Sequence, residues 1–143
     1  MGSYKFLEHT ADEKIAIEAN SYEEAFTLAV TAMHEILLGK EQLLQVKSKY
    51  EKTISLENKK LTTLLYDFIN EFILLFDEED LLLPIVKSIT IKKQENIYKL
   101  NAKVFGDKRK NYELQTQIKN MTYSDMKIEE KNNKIHMEIV LDI

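Results

Sequence analysis

Two aspartates lie near opposite ends of this chain, and their positions suggest a cation site. Asp12 follows His9 and Thr10 between two stretches with strand-like patterns, and Asp142 is followed directly by Ile143. If the first and last strands are neighbours, the two aspartates and the terminal carboxylate of Ile143 can converge. Two negative charges about 4 Å apart repel by about 4 kcal/mol at an effective dielectric constant near 20, so proton uptake or a bound cation must offset the repulsion.

A hard divalent cation is the natural occupant of such a cluster. Calcium accepts about 6–8 oxygen ligands, which carboxylates, backbone carbonyls and water supply, whereas magnesium or manganese needs a tighter octahedron. Each aspartate alone also has a plain structural interpretation, Asp12 as a turn residue and Asp142 as a solvent-facing strand residue. His9 is weak evidence for a transition metal because it has no spaced partner; we expect His9, His34 and His136 to be surface or partly packed residues.

The composition excludes several classes of active site. The 143 residues contain no cysteine and only 3 glycines, so there is neither a thiolate metal site nor a glycine-rich phosphate loop. The 20 basic and 24 acidic residues give a net charge of −4, which disfavours direct, tight binding of nucleic acid. The short basic cluster at 107–110 is expected to be a solvated turn, with contact to an acidic or phosphate group of a partner as the alternative. We predict that the chain is not a self-contained enzyme.

Alternation of apolar and polar residues with a period of two predicts strands in much of the chain. The predicted strands are 4–9, 14–19, 53–57, 85–92, 96–105, 116–124, 126–130 and 134–142. The first two would be joined by a turn at 10–13, and the last two by a turn at Asn132 and Asn133, a pair that tolerates positive φ. Pro84 cannot donate a ladder hydrogen bond, so we expect it to mark a strand start or a connection.

Two apolar stripes with helical spacing predict two helices. The first follows a capping-box pattern that begins at Ser21, and we expect it at 22–38 with its end at Gly39. The second follows Asn58, its expected cap, and its wide stripe runs over 61–76. The second helix should be the more deeply buried of the two, and its apolar stretch is too short for a membrane span.

These elements predict the fold class and the organisation of the chain. Two helices packed on a largely antiparallel multi-stranded sheet make an α+β fold. We find no repeat, low-complexity segment or linker, so we expect a single domain over 1–143. Residues 1–5 show no basic region followed by an apolar run and a cleavage site, so a cytoplasmic location is expected.

Five stretches of the chain resemble the archease family in order and spacing. They are YKFLEHTADEKIAIEA, SYEEAFTLAVTAMHEIL, LTTLLYDFINEFILLFD, IKNMTYSDMKIE and IVLDI. HTAD or VLDI alone is a weak signal, but together with LLYDFINE and the K-x-x-T-Y stretch they make a specific match over nearly the whole chain. The resemblance implies an archease-like fold and a non-catalytic activator of an RtcB-type RNA ligase, the enzyme that joins tRNA exons in tRNA splicing.

The resemblance also implies how the activator works and which residues it uses. It would promote guanylylation of the ligase by GTP and multiple turnover, and it would reach RNA only through the ligase, with no membrane partner. Asp12 and Asp142 match the metal-binding acids of the family, and Ile143 adds a main-chain or terminal oxygen. Lys119 matches the lysine that archeases need for ligase activation; alternatively it is a lysine on the solvent face of a strand. The implied cofactor is a divalent metal ion, with calcium favoured over magnesium or manganese.

Other residues of the matched stretches carry less information. Asp67 and Glu71 match the family, but their four-residue spacing is equally typical of a solvated helix face or of a cap to a neighbouring loop. Glu8 stands where an aspartate is expected. Tyr112 and Ser124 stand where many members have histidine. None of these departures affects the pairing of the two aspartates.

Two functions of other classes remain open. In one, the chain is a binding module or chaperone, and calcium only ties its first and last strands together; removal of the metal should then lower the melting temperature. In the other, the chain is a metal-dependent hydrolase that uses Asp12 and Asp142 with a bound water. The lack of a positioned general base argues against the hydrolase.

Overall fold

A computed structural model describes residues 2–7 and 12–143 of the chain, and only the backbone of Ser124 and Asp125. The end of the first predicted strand, with Glu8 and His9, therefore lies outside the described residues. In chain order, the elements are β1 (Ser3–Leu7), β2 (Asp12–Ala19), α1 (Tyr22–Leu38), α2 (Lys40–Leu44), β3 (Tyr50–Asn58), α3 (Leu61–Glu79), β4 (Leu81–Gln94), β5 (Ile97–Lys108), a 3₁₀ turn (Arg109–Asn111), β6 (Asn120–Lys131) and β7 (Lys134–Asp142).

The strands form two antiparallel sheets rather than one. Sheet A has the order β1-β2-β7-β6, and sheet B has the order β3-β5-β4. Helices α1 and α3 each contact strands of both sheets, and their buried side chains form one core with the inner faces of the sheets. The predicted α+β class is confirmed. Within the described residues, no helix is long and apolar enough to cross a membrane.

Helix α1 begins and ends where local signals predict. The hydroxyl of Ser21 accepts a hydrogen bond of 3.0 Å from the amide of Glu24. The carboxylate of Glu24 accepts from the amide of Asn20 at 2.8 Å, one residue before the amide that a capping box would use. Gly39 follows the last turn with a φ of 80°, a conformation that costs glycine little. The predicted bounds 22–38 are confirmed.

Helix α3 begins at Leu61, two residues later than a cap at Asn58 would place its start. Asn58 is still part of β3, where it pairs with Tyr98 of β5, and the helix is preceded by Lys60, which makes no side-chain capping bond. The side-chain oxygen of Asn58 accepts from the amide of Lys60 at 3.3 Å. The prediction that Asn58 caps the helix is therefore wrong, because pairing with a distant strand keeps this residue in the sheet.

Strand β4 contains an irregularity that explains Pro84. The register between β4 and β5 shifts between Leu82 and Ile85, and Pro84 lies at this bulge, where the missing donor is tolerated. The expectation that Pro84 marks a strand start or a connection is wrong, since β4 begins three residues earlier. At the same place Gly106 of β5 approaches β4 closely: a Cβ on Gly106 would lie 1.8 Å from the carbonyl oxygen of Leu82.

We expect Gly106→Ala to destabilise the protein by about 1–3 kcal/mol, because the strands must separate or bend to admit the methyl group. The free energy of unfolding from urea titrations measures the loss. Lys103→Ala on the same strand is a suitable control, since Lys103 is exposed. Equal stability of Gly106→Ala and the control would contradict the close approach.

The last hairpin has the predicted turn. Asn132 and Asn133 have φ values of 56° and 62°, as the two central residues of a type I′ turn require. Strand β6 is continuous from Asn120, with a register shift between Thr122 and Lys127. One bulged strand thus replaces the two strands predicted at 116–124 and 126–130.

Candidate functional site

The two aspartates lie directly opposite each other in sheet A. Strand β2 pairs with β7, and Asp12 is the register partner of Asp142. On its other side β7 pairs with β6, where Asn120 is also the partner of Asp142. Directly opposed residues of an antiparallel pair project to the same face of a sheet. Asp12, Asp142 and Asn120 therefore form one row across three strands, which we call the acidic row.

Asp12 belongs to a strand and not to the predicted turn at 10–13. The ladder between β2 and β7 extends to Asp12 and Asp142, so Asp12 is held by backbone pairing at the end of the sheet. The last strand, β7, lies beside the second strand, β2, and not beside the first strand, β1, but this pairing still brings the two aspartates together. It arises because β7 is a central strand that pairs on both sides.

The acidic row brings like charges together at the edge of the protein. Opposed Cβ atoms of an antiparallel pair lie about 4.5–5.5 Å apart, and like charges in such positions destabilise the sheet. Both aspartates are half-buried, so water screens their repulsion incompletely. Lys14, two residues along β2 on the same face, forms an ion pair of 3.4 Å with Glu138. A cation at the row would offset the repulsion between the aspartates.

Lys119 is fixed beside this row through its backbone. Its amide donates a hydrogen bond of 2.8 Å to the carbonyl of Asp142, and the next residue, Asn120, belongs to the row. The side chain of Lys119 is exposed, so its ammonium group is available to a partner. Ile143 packs its side chain against the core, which leaves only its main-chain oxygens to serve the site.

The acidic row offers oxygen atoms, which are the type of ligand that a hard cation prefers. Asp12 and Asp142 offer carboxylate oxygens and Asn120 offers an amide oxygen, and oxygen ligands of these types suit calcium or magnesium. In the described ranges 2–7 and 12–143, no three or more His, Cys, Asp or Glu side chains are grouped so as to hold a metal ion. His9 lies outside those ranges. At the acidic row, the described side chains thus offer two carboxylates and one amide group.

Comparison with known proteins identifies the family. The model of the Archease protein family (MTH1598/TM1083) matches residues 4–143. The chain belongs to the archease family. It is 34% identical over 131 residues to the protein archease of Pyrococcus abyssi, with 90% of this chain and 89% of that one covered. It is 28% identical over 142 residues to the protein archease of Methanosarcina mazei, with 98% and 95% covered.

Solved archease structures share the fold. The solution structure of Methanobacterium thermoautotrophicum protein 1598 superposes with a TM-score of 0.79 at 23% identity, covering 98% of both chains. The crystal structure of a Thermotoga maritima archease, described as a possible chaperone, gives a TM-score of 0.59 at 23% identity and covers 97% of this chain and 96% of that one. The predicted archease-like fold is confirmed.

Two archease sequence stretches meet in the structure. Tyr123 of the K-x-x-T-Y stretch stacks on Tyr66 of LLYDFINE, with ring centroids 4.2 Å apart. Asp67, next to Tyr66, accepts a hydrogen bond of 3.5 Å from the side chain of Asn58. Asp67 thus links α3 to the last residue of strand β3, rather than to the neighbouring loop that one alternative expected. Glu71 is half-buried on the same helix.

The segment that leads to Lys119 is anchored by a buried carboxylate. Asp107 is 2% exposed, and its carboxylate accepts hydrogen bonds from the amide of Lys108 and the side chains of Asn111 and Tyr112 at 2.8–3.3 Å. Burial raises the pKa of Asp107, but these hydrogen bonds outweigh it and lower the pKa overall. The prediction of a solvated turn at 107–110 is therefore wrong for Asp107.

Tyr112 and Gln115 tie the same segment to other parts of the chain. Its hydroxyl donates to Asp107 at 2.8 Å and accepts from the amide of Lys47 at 3.1 Å, and the amide of Gln115 donates to the carbonyl of Leu37 at 2.8 Å. Tyr112, a departure from the family pattern, thus has a structural role here. The anchored segment delivers Lys119 to the sheet in a fixed place.

Of the two histidines that the structure describes, one is a core residue and the other a surface residue. His34 is 2% exposed, so the expectation of a surface or partly packed side chain is wrong for it. Its Nδ1 lies 2.8 Å from the carbonyl oxygen of Val30. Because a carbonyl only accepts, Nδ1 carries the proton. His136 is exposed on β7. Neither residue belongs to the acidic row.

Sequence reasoning missed Asn120 as a member of the site. Asn120 directly follows Lys119 within the archease-like stretch IKNMTY, and the neighbouring Asp142 lies in IVLDI. Asn120 could have been found only by knowing that these two stretches pair with each other in the sheet. Alternation within each strand shows which residues share a face but does not show which strand lies beside it.

Proposed function

We propose that this archease is a non-catalytic activator of an RtcB-type RNA ligase in tRNA splicing, and that it works in the cytoplasm. It promotes guanylylation of the ligase by GTP and allows repeated turnover. Family membership supports this role, and the placement of Asp12 opposite Asp142 with Lys119 beside them is the observation that carries it. A protein that presents two carboxylates and a lysine at one exposed edge can act on the charged groups of a partner.

The acidic row is proposed to hold a divalent ion, with calcium favoured and magnesium or manganese as alternatives. Asp12, Asp142 and Asn120 would supply side-chain oxygens, and Ile143 would supply a main-chain oxygen. When bound, such an ion supplies positive charge that offsets the charge of phosphate groups.

The chain's own residues have separate tasks in this proposal. The backbone ladder of β2 and β7 holds the carboxylates of Asp12 and Asp142 at a fixed spacing, so little reorganisation is needed on docking. Lys119 engages a nucleotide phosphate or an acidic group of the ligase. The net charge of −4 suits a protein that acts through the ligase, because guiding RNA to the active site is then the task of the enzyme.

The test is RNA ligation with a limiting amount of the matching ligase, with and without this protein, in calcium, magnesium or manganese. We expect product to exceed the amount of ligase only when this protein is present. Transfer of labelled GMP to the ligase, measured in a single turnover, should also become faster. Absence of any stimulation in all three metals would overturn the proposed function.

A chaperone-like role is a second candidate, because the cross-strand aspartate pair could also use a metal only to lock β2 against β7. In that case saturating metal should raise the stability by about 2.7 kcal/mol at a hundredfold excess over the dissociation constant. Ligase turnover should then be unchanged. Melting curves with metal and with chelator, run beside the ligation assay, separate the two candidates.

A further inference from the structure

The outer face of sheet B carries regular rows of hydrogen-bond donors. Across β4 and β5, three directly opposed pairs project outward, whereas the residues between them on β5 are buried in the core. All six outward side chains are exposed. We call this surface the lysine face; its pairs are Lys92 with Lys99, Thr90 with Asn101, and Ser88 with Lys103.

The lysine face is locally basic in an acidic protein. Strands β4 and β5 together carry six lysines and one carboxylate, that of Asp107, which is buried. In the described part of the chain, no carboxylate lies within ion-pair distance of Lys92, Lys99 or Lys103. The carboxylates on the outer side of this sheet come from the neighbouring β3, where Glu57 pairs in register with Lys99 and Glu51 with Phe105.

The arrangement of two of these lysines is unfavourable for stability. Lys92 and Lys99 occupy directly opposed positions, and like charges in such positions destabilise an antiparallel pair. Glu57 lies opposite Lys99 on its other side, but among the described residues it forms no ion pair with Lys99. Solubility alone does not require this, because a carboxylate at position 92 would be equally soluble and would pair with Lys99. The like-charge pair is understandable if the face meets a negatively charged partner.

The donors of the lysine face match a phosphate backbone better than a protein surface. Lysine, serine, threonine and asparagine side chains are those that contact phosphate and sugar groups. Successive outward residues of a strand are about 7 Å apart, so the rows present a repeat that a regularly spaced polyanion can follow. The centre of a protein–protein interface is usually apolar and aromatic. The three rows of the lysine face contain no apolar side chain, and the next row along the same strands pairs the polar Gln94 with the half-buried Ile97.

We propose that the lysine face binds the phosphate backbone of single-stranded RNA, weakly and without sequence preference. The choice of RNA rests on the proposed ligase role, whereas the backbone contact rests on the face itself. The family resemblance implies that RNA is reached only through the ligase, and the net charge of −4 disfavours tight direct binding, but that net charge is a sum over the whole chain. The distribution of charge points to a direct contact that steadies the RNA while the ligase joins it.

The test is fluorescence anisotropy of a labelled oligouridine titrated with the full chain, without ligase, at several salt concentrations. We expect a dissociation constant on the order of 10⁻⁴–10⁻⁶ M at physiological salt. Three lysine–phosphate contacts predict a slope of about −2 for log K against log salt on a single strand. No binding at low salt would overturn the proposal and would leave ligase stimulation untouched.

Lys92→Glu is the decisive variant. It should weaken binding at least tenfold and also raise the melting temperature, because it places a carboxylate opposite Lys99. If the variant binds RNA more weakly but melts at a higher temperature, misfolding is excluded as the cause of the weaker binding. Lys40→Glu changes the net charge equally at an exposed position on α2 and should have little effect. Equal weakening by both variants would overturn the proposal, since only net charge would then matter.

Two further measurements complete the test. Lys103→Gln, which removes one charge without reversing it, should weaken binding if Lys92→Glu fails to fold. Oligoglutamate of the same charge as the oligouridine should displace it poorly. Displacement as strong as that by unlabelled oligouridine would show that the face binds acidic protein segments, and the assignment to RNA would be wrong.

Discussion

Asp142→Asn is expected to abolish the stimulation of ligase turnover while the protein stays folded. The substitution removes one negative charge from the acidic row and preserves the size of the side chain. The carbonyl of Asp142, which accepts from the amide of Lys119 at 2.8 Å, is unchanged. Loss of groups that merely support a metal ligand lowers metal affinity by about 10–100-fold, so the loss of a ligand should cost at least as much. Asp12→Asn should behave alike, because in the proposed site the two carboxylates would bind the same ion.

The measurement is the ligation assay at limiting ligase, together with metal titration of each variant. The double variant should be no worse than either single variant, because residues that act as a unit are strongly non-additive. Glu138→Gln is the matched control: it lies on the same strand and face and pairs with Lys14 at 3.4 Å. Full stimulation by a folded Asp142→Asn variant would show that the acidic row is not the activating group.

Stability measurements separate the charge effect from the function. In the presence of chelator, Asp142→Asn should be at least as stable as the natural sequence, because one of two opposed like charges is gone.

Lys119→Ala should lose stimulation but keep metal binding, since its backbone bond to the row remains. A parallel loss of metal binding in Lys119→Ala would assign it a structural role instead.

The second large effect concerns the response of stability to acid. Burial lowers the pKa of His34 to about 4, against an ordinary value of 6.5, and its hydrogen bond to the carbonyl of Val30 opposes the shift only in part. The side chains around it, which include Phe72, Phe76 and Ile118, are apolar. These apolar side chains cannot accept a hydrogen bond from a protonated Nε2, so His34 stays neutral in the folded state.

His34 therefore favours unfolding as the pH falls. Its pKa is depressed in the folded state, so between about pH 6.5 and pH 4 the unfolded chain binds more protons, and stability is lost as the pH decreases through this range. Integrated over this range, the shift in the pKa of His34 lowers the free energy of unfolding by about 3 kcal/mol at pH 4 relative to pH 7. Above about pH 8, where the unfolded chain also keeps His34 neutral, the residue contributes no pH dependence.

The check is the free energy of unfolding from urea titrations between pH 4 and pH 7 for the natural sequence and for His34→Leu. The variant should lose about 3 kcal/mol less over this interval, because carboxylates titrate alike in both proteins and cancel in the difference. Parallel curves for His34→Leu and the natural sequence would mean that His34 is solvated.

Elements defined by neighbouring residues were predictable from sequence, and elements defined by distant pairing were not. Both ends of α1 follow from Ser21 and Gly39, which act within one turn of the helix. Asn58 has the side chain of a cap, but pairing with Tyr98 keeps it in β3. Pro84 looks like a strand boundary, yet a bulge opposite Gly106 accommodates it within β4. The division of the strands into two sheets depends on the same long-range pairing.

The site was predictable to the extent that charge and resemblance pointed to it. Asp12, Asp142 and Lys119 were each expected, and the structure brings them together at one end of sheet A. Asn120 was missed because its membership depends on the pairing of β6 with β7. The burial of Asp107 was missed because its partner Tyr112 is on a loop that has no periodic pattern. Polar networks of this kind have no signature in hydrophobic alternation.

The central place of β7 in sheet A has a consequence for synthesis on the ribosome. Sheet B is built from β3, β4 and β5, which follow one another along the chain, so it can form as they leave the exit tunnel. Sheet A instead waits for residues 134–142, which must insert between β2 and β6; such non-local pairing is slow. Until then β2 offers an open edge to other nascent chains. A chain interrupted before β7 also lacks Asp142, and therefore lacks the opposed pair of aspartates.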